Sequence, residues 1–241
     1  MIKRLFGFTL AEVLITLGII GVVAAMTIPT LMANIRAKQY ISKYKKALAT
    51  LSNAARMSES QYGFDFSGIN DYCSKDSATD NPENKHSLCA LLNGTLQGAT
   101  FYYGLNSLGN YEYKLHFSIH TIDSYKTTLP IYQLSDGTLI VFSGRVSGAG
   151  AFKGCTRSIG GKPWIRDDGY GNGCYGFIDV NGTSLPNTET KCSNGNDSTG
   201  VFEAGDCIVK HKDIGDIFMF TFYDGSAMPY SNSDWAAYNS K

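Results

Sequence analysis

The chain has 241 residues, of which 17% are charged and 43% hydrophobic, and its 21 basic side chains balance its 21 acidic ones. A neutral chain gives no electrostatic argument for binding nucleic acid or another strongly charged partner. The part of the chain beyond the first quarter is long enough for one domain with a hydrophobic core, and its abundance of Gly, Asn, Ser, Thr and Tyr is typical of short strands joined by turns.

The N-terminal segment combines a short basic leader with a long apolar run. Met1–Gly7 contains Lys3 and Arg4, and no charged side chain occurs in 13–35. A helix rises about 1.5 Å per residue and needs roughly 20 apolar residues to cross a hydrocarbon core, so this run predicts a membrane-spanning helix. Glu12 lies just before the run. It is either an interfacial residue that compensates the positive end of the helix dipole or a residue with a charged partner.

Two other kinds of N-terminal segment share some of these features. A secretory signal peptide has a basic start, an apolar core of about 7–15 residues and a small-residue cleavage site, which Ala24 and Ala25 could supply. The apolar run nevertheless continues past them to Ile35. Neither a signal peptide nor an ordinary signal anchor accounts for Glu12.

The residues Gly7-Phe8-Thr9-Leu10-Ala11-Glu12 resemble the processing site of type IV pilins and type II secretion pseudopilins. In that family a prepilin peptidase cuts after the glycine, the new phenylalanine amine is N-methylated, and the glutamate supports subunit assembly. Pro29 stands where pilins commonly have a helix-kinking proline. The resemblance implies a bacterial inner-membrane protein, cut between Gly7 and Phe8, whose partners are prepilin peptidase and other pilin or pseudopilin subunits.

This resemblance gives Glu12 a specific role in assembly. Cleavage would leave a positive amine on Phe8 among apolar helices of a fibre, and a buried charge requires a partner. Glu12 of a neighbouring subunit can supply the opposite charge and fix the axial register between subunits. Pro29 has no backbone N–H, so it can bend or locally melt the helix.

Basic residues and cysteines give opposite indications of topology. Two basic residues precede the apolar helix and five follow it, namely Arg36, Lys38, Lys43, Lys45 and Lys46. Counting them would place the C-terminal part in the cytoplasm. All six cysteines follow the helix, and an even number in polar, glycine-rich sequence indicates disulfides and an oxidising compartment. The family resemblance also implies a C-terminal domain outside the cytoplasm, which we take as the expectation.

The cysteines favour disulfides over zinc because the close ligand pairs of zinc sites are missing. Sequence alone leaves all fifteen pairings open. The neighbour order is preferred because it closes three short loops rich in residues that cannot form a core, each worth about 3 kcal/mol. The pairs of that order are Cys73–Cys89, Cys155–Cys174 and Cys192–Cys207.

The sequence predicts that the N-terminal helix continues beyond the membrane. After Ile35, apolar residues recur at steps of three and four with basic residues on the other faces. They are Ile41, Tyr44, Leu48, Leu51 and Ala55. This stripe needs a cover, which the chain's own sheet would provide. The expected organisation is a leader at 1–7, a transmembrane and assembly helix at 8–35, an amphipathic helix at 36–60 that forms the spine of the domain, and an extracytoplasmic β-rich head at 61–241.

The head is expected to be an antiparallel sheet with loops held by disulfides, which makes the fold class α+β and pilin-like. A short helical turn is predicted near Ser87–Leu92. Period-two alternation and the Asp136-Gly137 turn signal predict the strands. The predicted strands are Tyr111–Thr121, Leu129–Ser135, Thr138–Ser143, Tyr175–Val180 and Ile217–Tyr223.

Nothing in the sequence indicates catalysis, because it contains no recognisable nucleophile motif, phosphate-binding loop or Cys-x-x-Cys. His116 and His120 would stand about 13 Å apart on a strand, too far to share a zinc ion. No cofactor is expected. The stretch from Phe177 to Asn187 and the residues after it resemble the C-terminal half of many pilin-like proteins, and because major pseudopilins stabilise a C-terminal loop with calcium, calcium is the alternative. The candidate oxygen ligands are Asp179, Asn181, Asp197 and Asp206.

The sequence therefore predicts a structural subunit of a type IV pilus or a type II secretion pseudopilus. The alternative is a membrane-tethered binding module, an adhesin or ligand receptor, that uses the same anchor without polymerising. The head is large for a pilin, with an excursion at 62–100 and a cysteine-rich region at 155–207. These insertions favour a minor or tip-like subunit, and a decorated major pilin stays open.

Overall fold

The computed structural model describes residues 9–113, 126–143, 154–155, 174–198 and 206–240. Its helices are α1 (Leu10–Tyr62), α2 (Leu88–Thr95) and α3 (Asn232–Asn239). Its strands are β1 (Thr100–Tyr103), β2 (Pro130–Gln133), β3 (Leu139–Phe142), β4 (Tyr175–Asp179), β5 (Ile217–Tyr223) and β6 (Ser226–Pro229). A long N-terminal helix thus packs on an antiparallel sheet, and the predicted α+β class is confirmed.

Helix α1 is a single element of 53 residues, which at about 1.5 Å per residue is close to 80 Å long. Its end is set by Gly63, which adopts the left-handed conformation (φ +78°) and donates its N–H to the carbonyl of Glu59 at 3.0 Å. Glycine reaches this conformation without the Cβ clash that other residues suffer. The helix therefore ends at Tyr62, two residues beyond the end of the predicted amphipathic helix at 36–60.

The six strands form one sheet in the order in which they occur in the chain, and each pairs antiparallel with its neighbours. The register aligns Tyr132 with Ile140, Ile140 with Ile178, and Ile178 with Phe218. Because alternate residues of a strand face the same side, this row lies on one face of the sheet. It belongs to the hydrophobic core that the second half of α1 covers.

The opposite face of the sheet is also buried. Its core includes Ile131, Val141, Phe177 and Met219, and partly buried tyrosines from the connecting segments pack against it. Every residue of β4 and β5 is consequently buried. Strands buried on both faces are continuous apolar runs rather than alternating ones, as Ile217–Tyr223 illustrates.

Most of the predicted elements are present, with shifted ends. The Asp136-Gly137 turn joins β2 to β3 as predicted, with Gly137 at φ +84°. The predicted strand Ile217–Tyr223 is confirmed with the same bounds. The helix predicted near Ser87–Leu92 is α2, and Ser87 is its N-cap.

The predicted strand Tyr111–Thr121 is wrong where the structure describes it. Residues 111–113 are not in a strand, and 114–121, with His116 and His120, lie outside the described residues. The Tyr111 hydroxyl instead donates to Asp179 at 2.7 Å, and the Tyr113 ring packs 5.4 Å from that of Phe177. Tyr111 and Tyr113 thus pack against the second face of the sheet.

The three predicted disulfides are confirmed in the neighbour order, with Cα–Cα distances of 5.6, 5.7 and 5.5 Å. Cys73–Cys89 joins the excursion after α1 to the first turn of α2. Cys155–Cys174 holds residue 155 beside the start of β4. Cys192–Cys207 closes a loop in the connection between β4 and β5.

Candidate membrane-anchoring and assembly helix

The first half of α1 presents apolar side chains in all directions and touches no other part of the described chain closely enough to be buried. Leu10 is 81% exposed, Ile20 is 62% exposed and Met26 is 72% exposed. The first buried residue of the helix is Ala37. A helix that is apolar all round requires an apolar environment, and this one is long and apolar enough to cross a membrane.

Glu12 caps the helix of its own chain. Thr9 is the N-cap, and its hydroxyl accepts the Glu12 backbone N–H at 3.2 Å. The Glu12 carboxylate accepts the Thr9 N–H at 2.8 Å and the Thr9 hydroxyl at 2.9 Å. This reciprocal capping box satisfies backbone N–H groups that have no partner within the helix. Gly7 and Phe8, the predicted processing residues, lie outside the described residues.

The helix runs unbroken through Pro29. The proline ring removes one donor to the helical hydrogen bonds. On either side of it, the Thr27 hydroxyl donates to the Val23 carbonyl at 2.9 Å, and the Thr30 hydroxyl donates to the Thr27 carbonyl at 2.9 Å. Through these hydrogen bonds, threonines in an apolar helix satisfy their hydroxyl groups within the helix itself. Bending or melting at Pro29 stays a prediction.

The second half of α1 is fixed to the head along the predicted stripe, all five residues of which are buried. The Tyr44 ring stacks on that of Phe218 with centroids 4.5 Å apart, and its hydroxyl donates to the Met219 carbonyl at 2.7 Å. About two turns further along the helix, the Ser52 hydroxyl accepts the Ala227 N–H at 2.9 Å. Strands β5 and β6 therefore hold the helix through main-chain atoms as well as through side-chain packing.

Three of the five basic residues that follow the apolar run have partners in the head. Lys43 donates to the Val180 carbonyl at 2.9 Å, Lys46 forms an ion pair with Asp136 at 2.8 Å, and the Lys45 ammonium lies 5.4 Å from the centre of the Tyr238 ring. Arg36 and Lys38 are exposed. These contacts give the basic residues a structural role in the head, apart from any effect on topology.

Two of the four calcium candidates lie in one turn at the end of β4. Asp179 is fully buried, and its carboxylate accepts the Tyr111 hydroxyl at 2.7 Å and the Asn181 N–H at 3.0 Å. The Asn181 side chain donates to the carbonyls of Ser184 and Leu185. Burial raises the pKa of Asp179 to about 7, and the charge of Asp216 adds to this while the hydrogen bonds oppose it.

The other two candidates lie near the Cys192–Cys207 disulfide. Asp197 accepts the Ser233 N–H at 3.1 Å, and Asp206 precedes Cys207. Ligand atoms of Cys192, Asp197 and Cys207 lie within 4.8 Å of one another. Both sulfurs are bonded to each other, so neither is a thiolate that could bind a metal. Calcium binding stays a prediction, with its four candidate ligands in two different environments.

Sequence reasoning missed several buried carboxylates of the head. Asp216 accepts the N–H groups of Asn187 at 3.0 Å and Thr188 at 2.7 Å. Asp234 caps α3 through Ser231 and accepts the Met219 N–H at 3.1 Å. Ser231-x-x-Asp234 and Thr9-x-x-Glu12 both place a hydroxyl three residues before a carboxylate, a spacing that could have predicted both caps.

Comparison with known proteins gives one family match, to the prokaryotic N-terminal methylation motif at residues 3–28. No curated protein and no solved structure matches the chain. The matched residues include the basic leader, the capping box formed by Thr9 and Glu12, and the exposed apolar half of α1 up to the residue before Pro29. The chain therefore carries the prepilin motif of the type IV pilin and pseudopilin family at its N-terminus.

Proposed function

We propose that the protein is a structural subunit of a thin helical fibre, a type IV pilus or a type II secretion pseudopilus. The observation that carries the proposal is the exposed apolar half of α1, with Glu12 as its one charged residue. Lipid can cover this surface while the subunit waits in the inner membrane, and α1 of other subunits can cover it in a fibre. The matched motif belongs to structural proteins and gives no indication of enzymatic activity.

The proposed pathway begins with prepilin peptidase, which cuts between Gly7 and Phe8. In the sequence, the new amine on Phe8 then precedes Thr9, whose backbone N–H the Glu12 carboxylate accepts. In the fibre, Glu12 of one subunit pairs with the Phe8 amine of its neighbour. That pairing exchanges the capping contact seen in the isolated chain for a contact between chains, so the assembled helix starts differently from the free one.

The decisive experiment separates the charge of Glu12 from its capping role. Glutamine completes a capping box as glutamate does but carries no charge. We expect Glu12→Gln to insert into the membrane and be cut normally but to be excluded from fibres. Thr9→Val removes the hydroxyl of the cap and keeps the charge, and we expect it to assemble.

Membrane fractionation, N-terminal mass determination and fibre shearing provide the three readouts. Fibres that incorporate Glu12→Gln as well as the wild type would contradict the charge pairing, whereas a wild-type chain that enters the membrane but no fibre would favour the membrane-tethered binding module. A mature chain that starts at Met1, or near Ala25, would contradict processing after Gly7. Immunogold labelling of native cells then distinguishes a minor subunit from a major one. We expect labelled fibre tips, because the head is large and carries disulfide-closed loops, whereas labelled shafts would indicate a major subunit.

A further inference from the structure

A groove of about 300 Å³ lies beside α1 where the helix leaves its apolar half. The residues that line it are Lys38, Ile41, Ser42, Lys45, His211 and Ser240. One wall is α1, and the 3₁₀ turn His211–Asp213, which packs against α1, provides the other. Two ammonium groups, an imidazole and a hydroxyl thus border one small volume, a combination that suits a phosphate group.

Only the lower end of this groove is close enough to the apolar run to lie in the headgroup layer of a bilayer. The uncharged run of α1 ends at Ile35. Lys38 lies about 4.5 Å further along the axis and Lys45 about 15 Å further. The polar layer on each side of a hydrocarbon core of about 30 Å is roughly 5–7 Å thick. The lower end of the groove, at Lys38 and Ile41, therefore lies among lipid headgroups when 13–35 spans the core.

The charge of the surrounding surface favours an anionic occupant. Between Glu12 and Glu59 the helix sequence has no acidic residue and six basic ones. In the 3₁₀ turn, His211 and Lys212 are exposed, whereas the carboxylate of Asp213 accepts the Ser193 hydroxyl at 2.6 Å. Three residues before His211, Ile208 is 60% exposed and adds an apolar side chain to the surface beside this turn.

We propose that this groove binds the headgroup phosphate of an anionic phospholipid and holds the head against the membrane surface. Lys38 and Lys45 attract the phosphate, while the His211 imidazole and the Ser42 hydroxyl donate hydrogen bonds to it. The proposal rests on the proposed function only in requiring the membrane-anchored stage of the subunit. It assigns the groove to lipid, and bound lipid would have to be left behind when a subunit enters a fibre.

The test is native mass spectrometry of the full chain in a nonionic detergent, titrated with phosphatidylglycerol and with phosphatidylcholine of the same acyl chains. Because each basic residue near an anionic membrane surface contributes about 1 kcal/mol, we expect phosphatidylglycerol to bind at least about fivefold more tightly. Lys38→Glu should abolish this preference. Lys75→Glu, the same change at an exposed lysine between the first two cysteines, should keep it.

Three results would overturn the proposal. They are equal affinity for the two lipids, a preference that survives Lys38→Glu, and complete displacement of the lipid by millimolar inorganic phosphate, which would assign the groove to a free anion. Lys38→Gln and a thermal melt of each variant separate lost binding from lost folding. Lipid binding by this groove needs neither processing nor polymerisation. A protein that forms fibres but shows no lipid preference would refute lipid binding by the groove alone. A protein that prefers phosphatidylglycerol but is not cut after Gly7 would refute the proposed function alone.

Discussion

The hydroxyl of Tyr44 donates a 2.7 Å hydrogen bond to the main-chain carbonyl of Met219, which lies 175 residues later in the chain. Burial raises the pKa of this phenol well above its usual value, with smaller contributions from Asp234 and Tyr238. The hydroxyl therefore stays protonated, and remains a donor, at neutral pH. This contact joins the spine helix to the strand that is buried on both faces.

Loss of this hydroxyl should weaken the attachment of α1 to the head. Tyr44→Phe keeps the stacking on Phe218 but removes the donor, and we expect it to cost about 1–2 kcal/mol of the free energy of unfolding. Tyr44→Ala should cost about 3–5 kcal/mol because it also leaves a cavity. Urea unfolding of the head from residue 36 onward measures both. Tyr72→Phe, at a tyrosine that is 44% exposed, is the control. If Tyr44→Phe were as stable as the wild type, the hydrogen bond would contribute nothing to the free energy of unfolding.

The disulfides should make the head sensitive to reduction. Each closes a loop with a sequence separation of 15 to 19 residues, which in the chain-entropy model stabilises the fold by about 3 kcal/mol. We expect a reducing agent to lower the melting temperature and thiol titration of denatured, non-reduced protein to find no free thiols. Six reactive thiols in protein from its native compartment would contradict both the disulfides and the placement of the head outside the cytoplasm.

Stability should fall as the pH rises through the range in which Asp179 titrates. Burial raises the pKa of Asp179 to about 7, whereas an aspartate in an unfolded chain titrates near about 3.9. Between these values the folded state holds a proton that the unfolded state has released, so the free energy of unfolding decreases with rising pH and levels off above about pH 7. Burial also raises the pKa of Asp234, and the charge of Glu189 adds to this rise. Asp234 therefore lowers the free energy of unfolding with rising pH in the same direction as Asp179.

Asp179→Asn isolates this contribution. The variant cannot titrate at position 179, so the difference in unfolding free energy between wild type and variant should shift in favour of the variant from pH 4.5 to pH 8. Urea unfolding of both proteins at three pH values in this range measures this difference. The titration of the carboxylates that both proteins share cancels from it. A difference that is independent of pH would contradict the raised pKa.

Calcium provides a second measurement at the same carboxylate. We expect a calcium chelator to leave the melting temperature of the head unchanged, because Asp179 already accepts hydrogen bonds from Tyr111 and Asn181. A calcium-dependent rise in melting temperature that is lost in Asp179→Asn would place an ion there. A rise that is lost only in Asp197→Asn would place it beside the Cys192–Cys207 disulfide.

Gly195 should tolerate no side chain, because it has φ +93° and a Cβ there would collide with the carbonyl oxygen of Asp206. Gly98 also has positive φ, +75°, but a Cβ there would meet open space. We expect Gly98→Ala to cost about 1–2 kcal/mol from the backbone conformation alone and Gly195→Ala clearly more. Thermal melts of the two variants test this comparison, and equal costs would mean that the Asp206 loop moves aside freely.

The features of the fold that could be predicted from the sequence are those with a strong local pattern. The stripe Ile41 to Ala55 has helical spacing, and Asp136-Gly137 marks its turn whatever surrounds it. Strands β1 and β6 were missed because each has only four residues, and neither is fully buried. The assignment of β1 depends on pairing with β2, which lies far along the chain, whereas β6 follows β5 after Asp224-Gly225, a turn signal of the same kind as Asp136-Gly137 that was overlooked.

For the same reason, some residues of the candidate site could be predicted from the sequence and others could not. Glu12 stood out because a charge beside an apolar run is conspicuous, although its bond to Thr9 was overlooked. Lys38 and His211 are 173 positions apart and meet only because the turn after β4 returns to α1. Contacts of this kind depend on the folded topology, so the groove could not be predicted from spacing along the chain.

The sequential order of the sheet has a consequence for biosynthesis. The spine of α1 is made first, whereas its partners Met219 and Ala227 are made last. The apolar stripe of the helix therefore stays without these partners until almost the entire chain has been made. A chain arrested before β5 would keep its apolar helix and all three disulfide-closed loops, yet expose the stripe, which makes such an intermediate a natural target for chaperones and proteases.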